Sequence, residues 1–182
     1  MSERRGFFWL ISKGLIPLTA TGILYTRSAG VAYYGACSLA CALSAKAVKV
    51  MLRVPRPLTG HPGYRKTSYG MPSTHGSAVS FMATYIVLAA SQLPLPRSLD
   101  WLTSTEEWWL RCLGPLIALV WAFTVTGSRL WLGHHDFLQV LAGIGFGTCF
   151  GVGSFMLWTV GGLQTYGPGL ENEVERWLLW VR

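Results

Sequence analysis

Acidic residues are scarce in this chain, which holds 8 Asp and Glu among 182 residues, against 15 Lys and Arg. Charged residues of both signs make up only 13 %, where soluble proteins average roughly 25 %. Apolar residues reach 51 % and include nine tryptophans. This is the composition of a membrane protein, and the length predicts a single domain over residues 1–182.

Cysteines are also few, and their spacing is not that of a metal site. All four lie in apolar stretches, where we expect them to pack as small hydrophobic residues without disulfides: Cys37, Cys41, Cys112 and Cys149. Because no other group of side chains supplies adequate metal ligands, we predict a metal-independent protein that needs no cofactor.

The excess of positive charge, a formal +7, is compatible with nucleic acid, anionic lipid or an anionic substrate as partner. The basic residues lie beside apolar segments rather than on a polar face. This placement argues against nucleic acid and leaves membrane lipid and an anionic substrate as the expected partners.

Five apolar segments predict an all-α bundle of five to six helices in the membrane, at residues 6–26, 31–52, 73–95, 110–126 and 137–160. The first is short, so it forms either a tilted span or an interfacial helix followed by a short crossing. It resembles a signal peptide, but Lys13 and Pro17 interrupt it, so we expect it to stay in the mature protein.

The connecting segments are predicted from their polar and aromatic residues. Residues 59–71 form an interfacial loop, and residues 94–109 a second loop whose Trp101, Trp108 and Trp109 suit the membrane surface. The tail, residues 161–182, holds an amphipathic interfacial helix outside the core at 31–160. In the last span, Gly143, Gly147 and Gly151 recur every four residues, which lets another helix approach closely.

The stretch Gly127–Gln139 places several polar side chains between two apolar spans, where such groups are costly unless they serve binding, transport or chemistry. If the last span begins near His134, His135 and Gln139 share one helical face and one orients the other. With five crossings, residues 53–72 and 129–134 emerge at the same membrane face, which predicts a site assembled there.

Two further segments bring cations and backbone donors. Lys46, Lys49, Arg53 and Arg56 follow helical spacing and suit one face, although Pro55 and Pro57 should end the helix before Arg56. For Lys46 we favour a side chain whose ammonium group reaches the membrane surface. Ser73 or Thr74 is expected to cap the next helix, with Pro72 at or just before its first turn, and this start would aim free N–H groups at an anion.

Three motifs now stand in order: Lys49-x6-Arg56-Pro57, Pro72-Ser73-Thr74-His75 and Ser128-Arg129-x5-His135. They resemble the signature of the type 2 phosphatidic acid phosphatase superfamily, K-x6-R-P, P-S-G-H and S-R-x5-H-x3-D. Thr74 replaces a glycine, and Gln139 stands where the family has aspartate. With Tyr69-Gly70-Met71-Pro72-Ser73, this glutamine is most similar to the dolichyl diphosphate phosphatase branch.

The resemblance implies a role for each matching residue. Lys49, Arg56 and Arg129 would cradle the phosphoryl group, helped by Ser73 and by the helix start at Thr74. His135 would be the nucleophile that forms a phosphohistidine, and His75 would protonate the leaving oxygen and then activate water.

Gln139 can accept a hydrogen bond from His135 as an aspartate would, but it carries no charge. The absence of the aspartate's negative charge should matter least when the leaving group departs easily, so we hypothesise that Gln139 suits a diphosphate substrate. His134 is expected beside the site rather than as nucleophile, and His61 in solvent. Asp136 suits a helix start, with support of His135 as the alternative.

The resemblance implies hydrolysis of a dolichyl or other polyprenyl diphosphate in the endoplasmic reticulum, with the site facing the lumen. A shorter prenyl or terpenoid diphosphate, or phosphatidate, is the alternative substrate. A lipid-binding protein without activity is a third hypothesis. A transporter fits poorly, because the ionisable residues gather at the ends of the spans rather than near their middle.

Overall fold

The computed structural model describes residues 15–56 and 69–180, and in these ranges every regular element is helical. Six α-helices follow in order: α1 Leu15–Thr26, α2 Ala29–Leu52, α3 Thr74–Gln92, α4 Ser104–Trp131, α5 Phe137–Thr159 and α6 Gly167–Trp180. Short 3₁₀ turns at Arg97–Leu99 and Leu163–Tyr166 precede α4 and α6. The predicted all-α bundle is confirmed for the described part of the chain.

Three of the described helices, α2, α4 and α5, are long and apolar enough to cross a membrane. Helix α3 has 19 residues but is less apolar, because it runs through the middle of the bundle rather than along lipid. Helix α1 has only 12 residues, a length of about 18 Å at 1.5 Å per residue. Crossing by the first and third predicted spans therefore stays a prediction, and residues 6–14 of the first lie outside the described ranges.

The central helix α3 packs against α2, α4 and α5. Its contact with α5 is especially close along the glycine stripe. A Cβ atom on Gly143 would lie 2.7 Å from the carbonyl oxygen of Ser73, and one on Gly147 would overlap the backbone of Ser77. The close approach predicted from the glycine spacing is confirmed.

Helix α4 is longer than predicted at both ends. It begins at Ser104, because Thr103 and Glu106 form a reciprocal capping box, so the residues assigned to a loop at 106–109 are helical. It ends at Trp131 and thereby includes Arg129, which the sequence analysis placed in a loop.

The cysteines of the described residues are all free thiols. Cys41 is fully buried, and Cys37 packs against the same core cluster, as expected for small hydrophobic residues. Cys112 and Cys149 are exposed on α4 and α5, two of the helices apolar enough to span. For these two, packing as small hydrophobic residues stays a prediction.

The tail forms helix α6 where an amphipathic helix was predicted, while its place at the membrane surface stays a prediction. The carboxylate of Glu171 accepts a 2.8 Å hydrogen bond from the backbone N–H of Ala29, the first residue of α2. The tail therefore packs at the end of the bundle where α2 begins, opposite the end where α2 stops and α3 starts.

The glycine stripe yields a stability prediction with a matched control. We expect Gly147→Ala to lower the melting temperature of the detergent-solubilised protein, because its methyl group displaces α3, at a cost of about 1–3 kcal/mol. Gly145→Ala places the same methyl group where nothing lies within 4 Å and should leave the melting temperature unchanged or raise it. Equal effects of the two substitutions in a thermal scan would contradict the close packing.

Candidate active site

One face of α2 delivers a lysine to the site. Cys41, Ala45 and Lys49 are buried at four-residue intervals, and Lys49 is 8 % exposed. Lys46 is exposed, as expected for a lysine reaching the surface. The helix ends at Leu52, and Arg53 takes a left-handed conformation with φ 51° and is exposed. The prediction that four cations line one helical face is therefore wrong, because the turn at Arg53 breaks the helical spacing.

After this turn the chain carries Arg56 back to the site. The backbone N–H of Gly70 donates to the Val54 carbonyl at 2.7 Å, which ties the segment after α2 to the segment before α3. The Nη1 atom of Arg56 donates to the carbonyl of His134 at 2.9 Å. Residues 57–68, which include His61, lie outside the described ranges.

The start of α3 is fixed by Ser73, which settles the choice of cap between Ser73 and Thr74. Its Oγ accepts a hydrogen bond from the N–H of Gly76 at 3.3 Å, and its own N–H donates to the Gln139 carbonyl at 3.0 Å. Thr74 is half-buried and His75 is exposed in the first turn. This contact places the first turns of α3 and α5 side by side.

The last turn of α4 supplies Arg129, whose positive charge is favourable at a helix C-terminus. Arg129 is 9 % exposed, and its buried Nε has no hydrogen-bond partner. The N–H groups of His134 and His135 donate to the Arg129 carbonyl at 3.1 and 3.4 Å, so the turn after α4 folds back onto this residue. A buried guanidinium N–H without a partner fits a site that awaits an anion.

Helix α5 begins at Phe137 rather than near His134. Asp136 is the N-cap, and its carboxylate accepts from the N–H of Gln139 at 2.8 Å. The interpretation of Asp136 as a helix-start charge is therefore correct. His135 precedes the helix, yet its side chain still reaches Gln139.

The side chain of Gln139 is 1 % exposed and orients His135. Nδ1 of His135 lies 3.1 Å from Oε1 of Gln139, and Nε2 of Gln139 donates to the Pro55 carbonyl at 2.9 Å. Because the amide nitrogen faces a carbonyl, the amide oxygen must face the histidine. Nδ1 of His135 therefore carries the proton and donates it to Gln139.

The other ring nitrogen, Nε2 of His135, lies 3.4 Å from Nη1 of Arg56. A guanidinium can only donate, so Nε2 is the acceptor and presents its lone pair toward the cation. At 3.4 Å this contact is longer than the bond from Arg56 to the His134 carbonyl, so it can give way to a phosphate oxygen. The predicted pairing of His135 with Gln139 is present, with the lone pair of Nε2 directed at the Arg56 guanidinium.

The electrostatics of the site keep His135 neutral. Burial and the charge of Arg56 lower the pKa of His135 from 6.5 to about 4, and Lys49 acts in the same direction. Hydrogen bonds with Gln139 and the Gly70 backbone oppose the shift. At neutral pH the imidazole is therefore unprotonated, which a nucleophile requires.

The structure thus gathers most of the predicted site residues at one end of the bundle. Lys49 and Arg56 act electrostatically on His135, Arg56 and Arg129 act on each other, and Ser73 is bonded to Gln139. His75 lies two residues beyond Ser73 on the same helix end. Sequence reasoning missed Gly70 and the Pro55 carbonyl as partners of Gln139, because no local pattern announces a contact across three segments.

A helical membrane bundle that holds a neutral histidine against several cations at one end defines a class of membrane proteins built to act on anionic groups. Comparison with models of protein families identifies the family. The model of the PAP2 superfamily matches residues 30–161. This chain belongs to the PAP2 superfamily.

Individual relatives agree with this assignment. A Neurospora crassa protein provisionally named a dolichyldiphosphatase is 30 % identical over 216 aligned residues, covering 92 % of this chain and 76 % of that protein. The human dolichyldiphosphatase 1 is 35 % identical over 100 residues, 53 % of this chain and 39 % of that protein.

A Schizosaccharomyces pombe protein, named a fusion of palmitoyl-protein thioesterase and dolichyl pyrophosphate phosphatase, is 31 % identical over 132 residues. The match covers 72 % of this chain and 18 % of that longer protein. No solved structure matches the chain significantly.

The lowered pKa of His135 predicts how stability depends on pH. Above pH 6.5 the residue is neutral in both the folded and unfolded chain. As pH falls from 6.5 toward 4, the unfolded chain takes up a proton that the folded chain excludes. Across this window, the melting temperature of the unaltered protein should therefore fall relative to that of His135→Gln. Below about pH 4, the difference between the two melting temperatures should stay constant.

Thermal scans in detergent at half-unit pH steps measure this difference. His134→Gln, at the neighbouring half-buried position, controls for the removal of a histidine from the same turn. A constant difference between the unaltered chain and His135→Gln from pH 7 to 4 would contradict a neutral, buried His135.

Proposed function

We propose that this protein hydrolyses a polyprenyl diphosphate of the dolichyl type to the polyprenyl monophosphate and inorganic phosphate. The observation that carries the proposal is the orientation of His135, whose Nδ1–H is held by Gln139 while Nε2 faces Arg56. Relatives named for dolichyl diphosphate hydrolysis support the choice of substrate.

In the first step, Nε2 of His135 attacks the terminal phosphorus, and the bond from that phosphorus to the bridging oxygen breaks. Arg56, Arg129 and Lys49 hold the negative charge that spreads over the equatorial oxygens. The bridging oxygen leaves on the polyprenyl monophosphate and takes a proton from His75.

In the second step, a water molecule attacks the phosphohistidine and gives up a proton to His75. The nitrogen–phosphorus bond breaks, inorganic phosphate leaves and His135 regains its lone pair. Gln139 accepts the Nδ1–H hydrogen bond throughout, without the charge that would stabilise an imidazolium. This uncharged partner fits a substrate whose leaving group is a phosphate monoester rather than an alkoxide.

Phosphate release from a lipid panel tests the proposal. The detergent-purified protein, in excess EDTA, should hydrolyse a polyprenyl diphosphate faster than farnesyl diphosphate and both faster than phosphatidate. The reaction should survive EDTA because side-chain cations supply the positive charge. His135→Ala should lower the rate by about 10³-fold or more, as expected when a covalent nucleophile is removed.

His134→Ala is the matched control, since it keeps the backbone carbonyl that accepts from Arg56, and most activity should remain. Gln139→Asp in the same panel should shift the preference toward monophosphate lipids. No release of phosphate from any lipid by a folded, monodisperse sample would support a lipid-binding protein without activity. Preference for phosphatidate would favour the broader lipid phosphatase alternative.

We further propose that the protein resides in the endoplasmic reticulum with its site facing the lumen, as the similarity to the dolichyl branch implies. Because α6 packs at the end of the bundle opposite the site, a glycosylation acceptor appended to the C terminus should then stay unmodified. Modification of the acceptor, seen as an endoglycosidase-sensitive mass shift, would instead place the site toward the cytosol.

A further inference from the structure

Gln139 contacts all three motif segments, two through its side-chain amide and one through its backbone carbonyl. Its oxygen accepts from His135, its nitrogen donates to the Pro55 carbonyl at 2.9 Å, and its backbone carbonyl accepts from Ser73. Both ends of this side chain are therefore used, and the residue is 1 % exposed. An orienting role toward the histidine alone would leave the bond to Pro55 without a function.

The Pro55 carbonyl belongs to the peptide unit that joins Pro55 to Arg56. A planar peptide has no freedom between its carbonyl and the next N–H, so holding this oxygen also fixes where the Arg56 backbone begins. The segment carrying Arg56 follows the turn at Arg53 and is not helical. Its position depends on hydrogen bonds to other elements, among them the one from the buried side chain of Gln139 to the Pro55 carbonyl.

We propose that Gln139 is a positioning residue for Arg56 as well as for His135, so that one amide sets the distance between the phosphate-binding guanidinium and the nucleophile. An aspartate at this position has only acceptor atoms and is one carbon shorter, so it can serve His135 but cannot donate to Pro55. The inference rests on the phosphate site of the proposed function. It adds to that site the placement of Arg56 by Gln139.

Gly70 supports this role by its lack of a side chain. A Cβ atom on Gly70 would overlap the amide group of Gln139. The glycine therefore leaves room for the longer side chain to lie between His135 and Pro55. Its N–H also donates to the Val54 carbonyl, next to the peptide that Gln139 holds.

Binding of orthovanadate to the full-length protein in detergent at pH 8, measured by calorimetry, tests the proposal without any lipid substrate. Two variants both lose the hydrogen bond to the Pro55 carbonyl. Gln139→Glu keeps an acceptor for His135 but loses the donor to Pro55, and Gln139→Met is uncharged but loses both hydrogen bonds. Each should weaken vanadate binding about tenfold, the effect of losing the hydrogen bond to the Pro55 carbonyl and misplacing Arg56.

The decisive comparison repeats both substitutions in an Arg56→Lys background, where the planar fork that needs positioning is gone. There the further loss from Gln139→Glu, which keeps the acceptor for His135, should be less than about twofold, because this substitution acts through Arg56. The remote Gln164→Glu makes the same amide-to-carboxylate change at an exposed position and should leave vanadate binding unchanged.

Equal losses in both backgrounds would overturn the proposal, since they would assign the effect to added charge, to His135 or to general destabilisation. Unchanged binding in Gln139→Glu and Gln139→Met would also overturn it. A protein that binds vanadate with the expected coupling but hydrolyses none of the lipids would contradict the proposed function and leave this inference standing. Failure of the unaltered chain to bind vanadate would count against both.

Discussion

The close contact between α3 and α5 is the constraint on which the rest of the structure depends. Glycines on α5 let the backbone of α3 approach until Ser73 bonds to the Gln139 carbonyl. That contact sets the first turns of two helices side by side, one carrying His75 and the other Gln139. Arg56 reaches the site from the segment after α2 that turns back onto this pair of helix ends, and Arg129 lies in the last turn of α4.

The site concentrates positive charge around a neutral histidine at the end of an otherwise apolar bundle. Lys49 and Arg129 are buried on helices that end near the site, and the buried Nε of Arg129 has no hydrogen-bond partner. In the proposed function, an arriving phosphate would offset the cost of burying such a cation. Burial and the charge of Arg56 keep the pKa of His135 low, which fits its proposed role as the nucleophile.

Much of this could be predicted from the sequence because the signals are local. Apolar segments gave the helices, the four-residue glycine spacing gave the close packing, and Ser73 was named as a cap. The predicted start of α4 at residue 110 followed the apolar content of the segment. The observed start at Ser104 follows the capping box of Thr103 and Glu106, whose residues lie outside that apolar segment. The start of α5 at Phe137 agrees with the predicted span, and Asp136, interpreted as a helix-start charge, is its N-cap.

What could not be predicted depends on contacts between distant segments. The bond from Gln139 to Pro55 joins residues 84 positions apart, and the left-handed turn at Arg53 that makes it possible has no glycine or asparagine to announce it. The family motifs name Lys49 and Arg56 but not the geometry between them. That geometry follows from the turn and from the hydrogen bonds that hold it.

The packing of Gly70 against Gln139 has an evolutionary consequence. A shorter aspartate at position 139 would vacate the space beside residue 70, and a side chain there would then be tolerated. With glutamine present, any larger residue at position 70 is excluded. The two positions, 69 residues apart in the chain, should therefore change together among relatives, with glycine retained wherever the glutamine is.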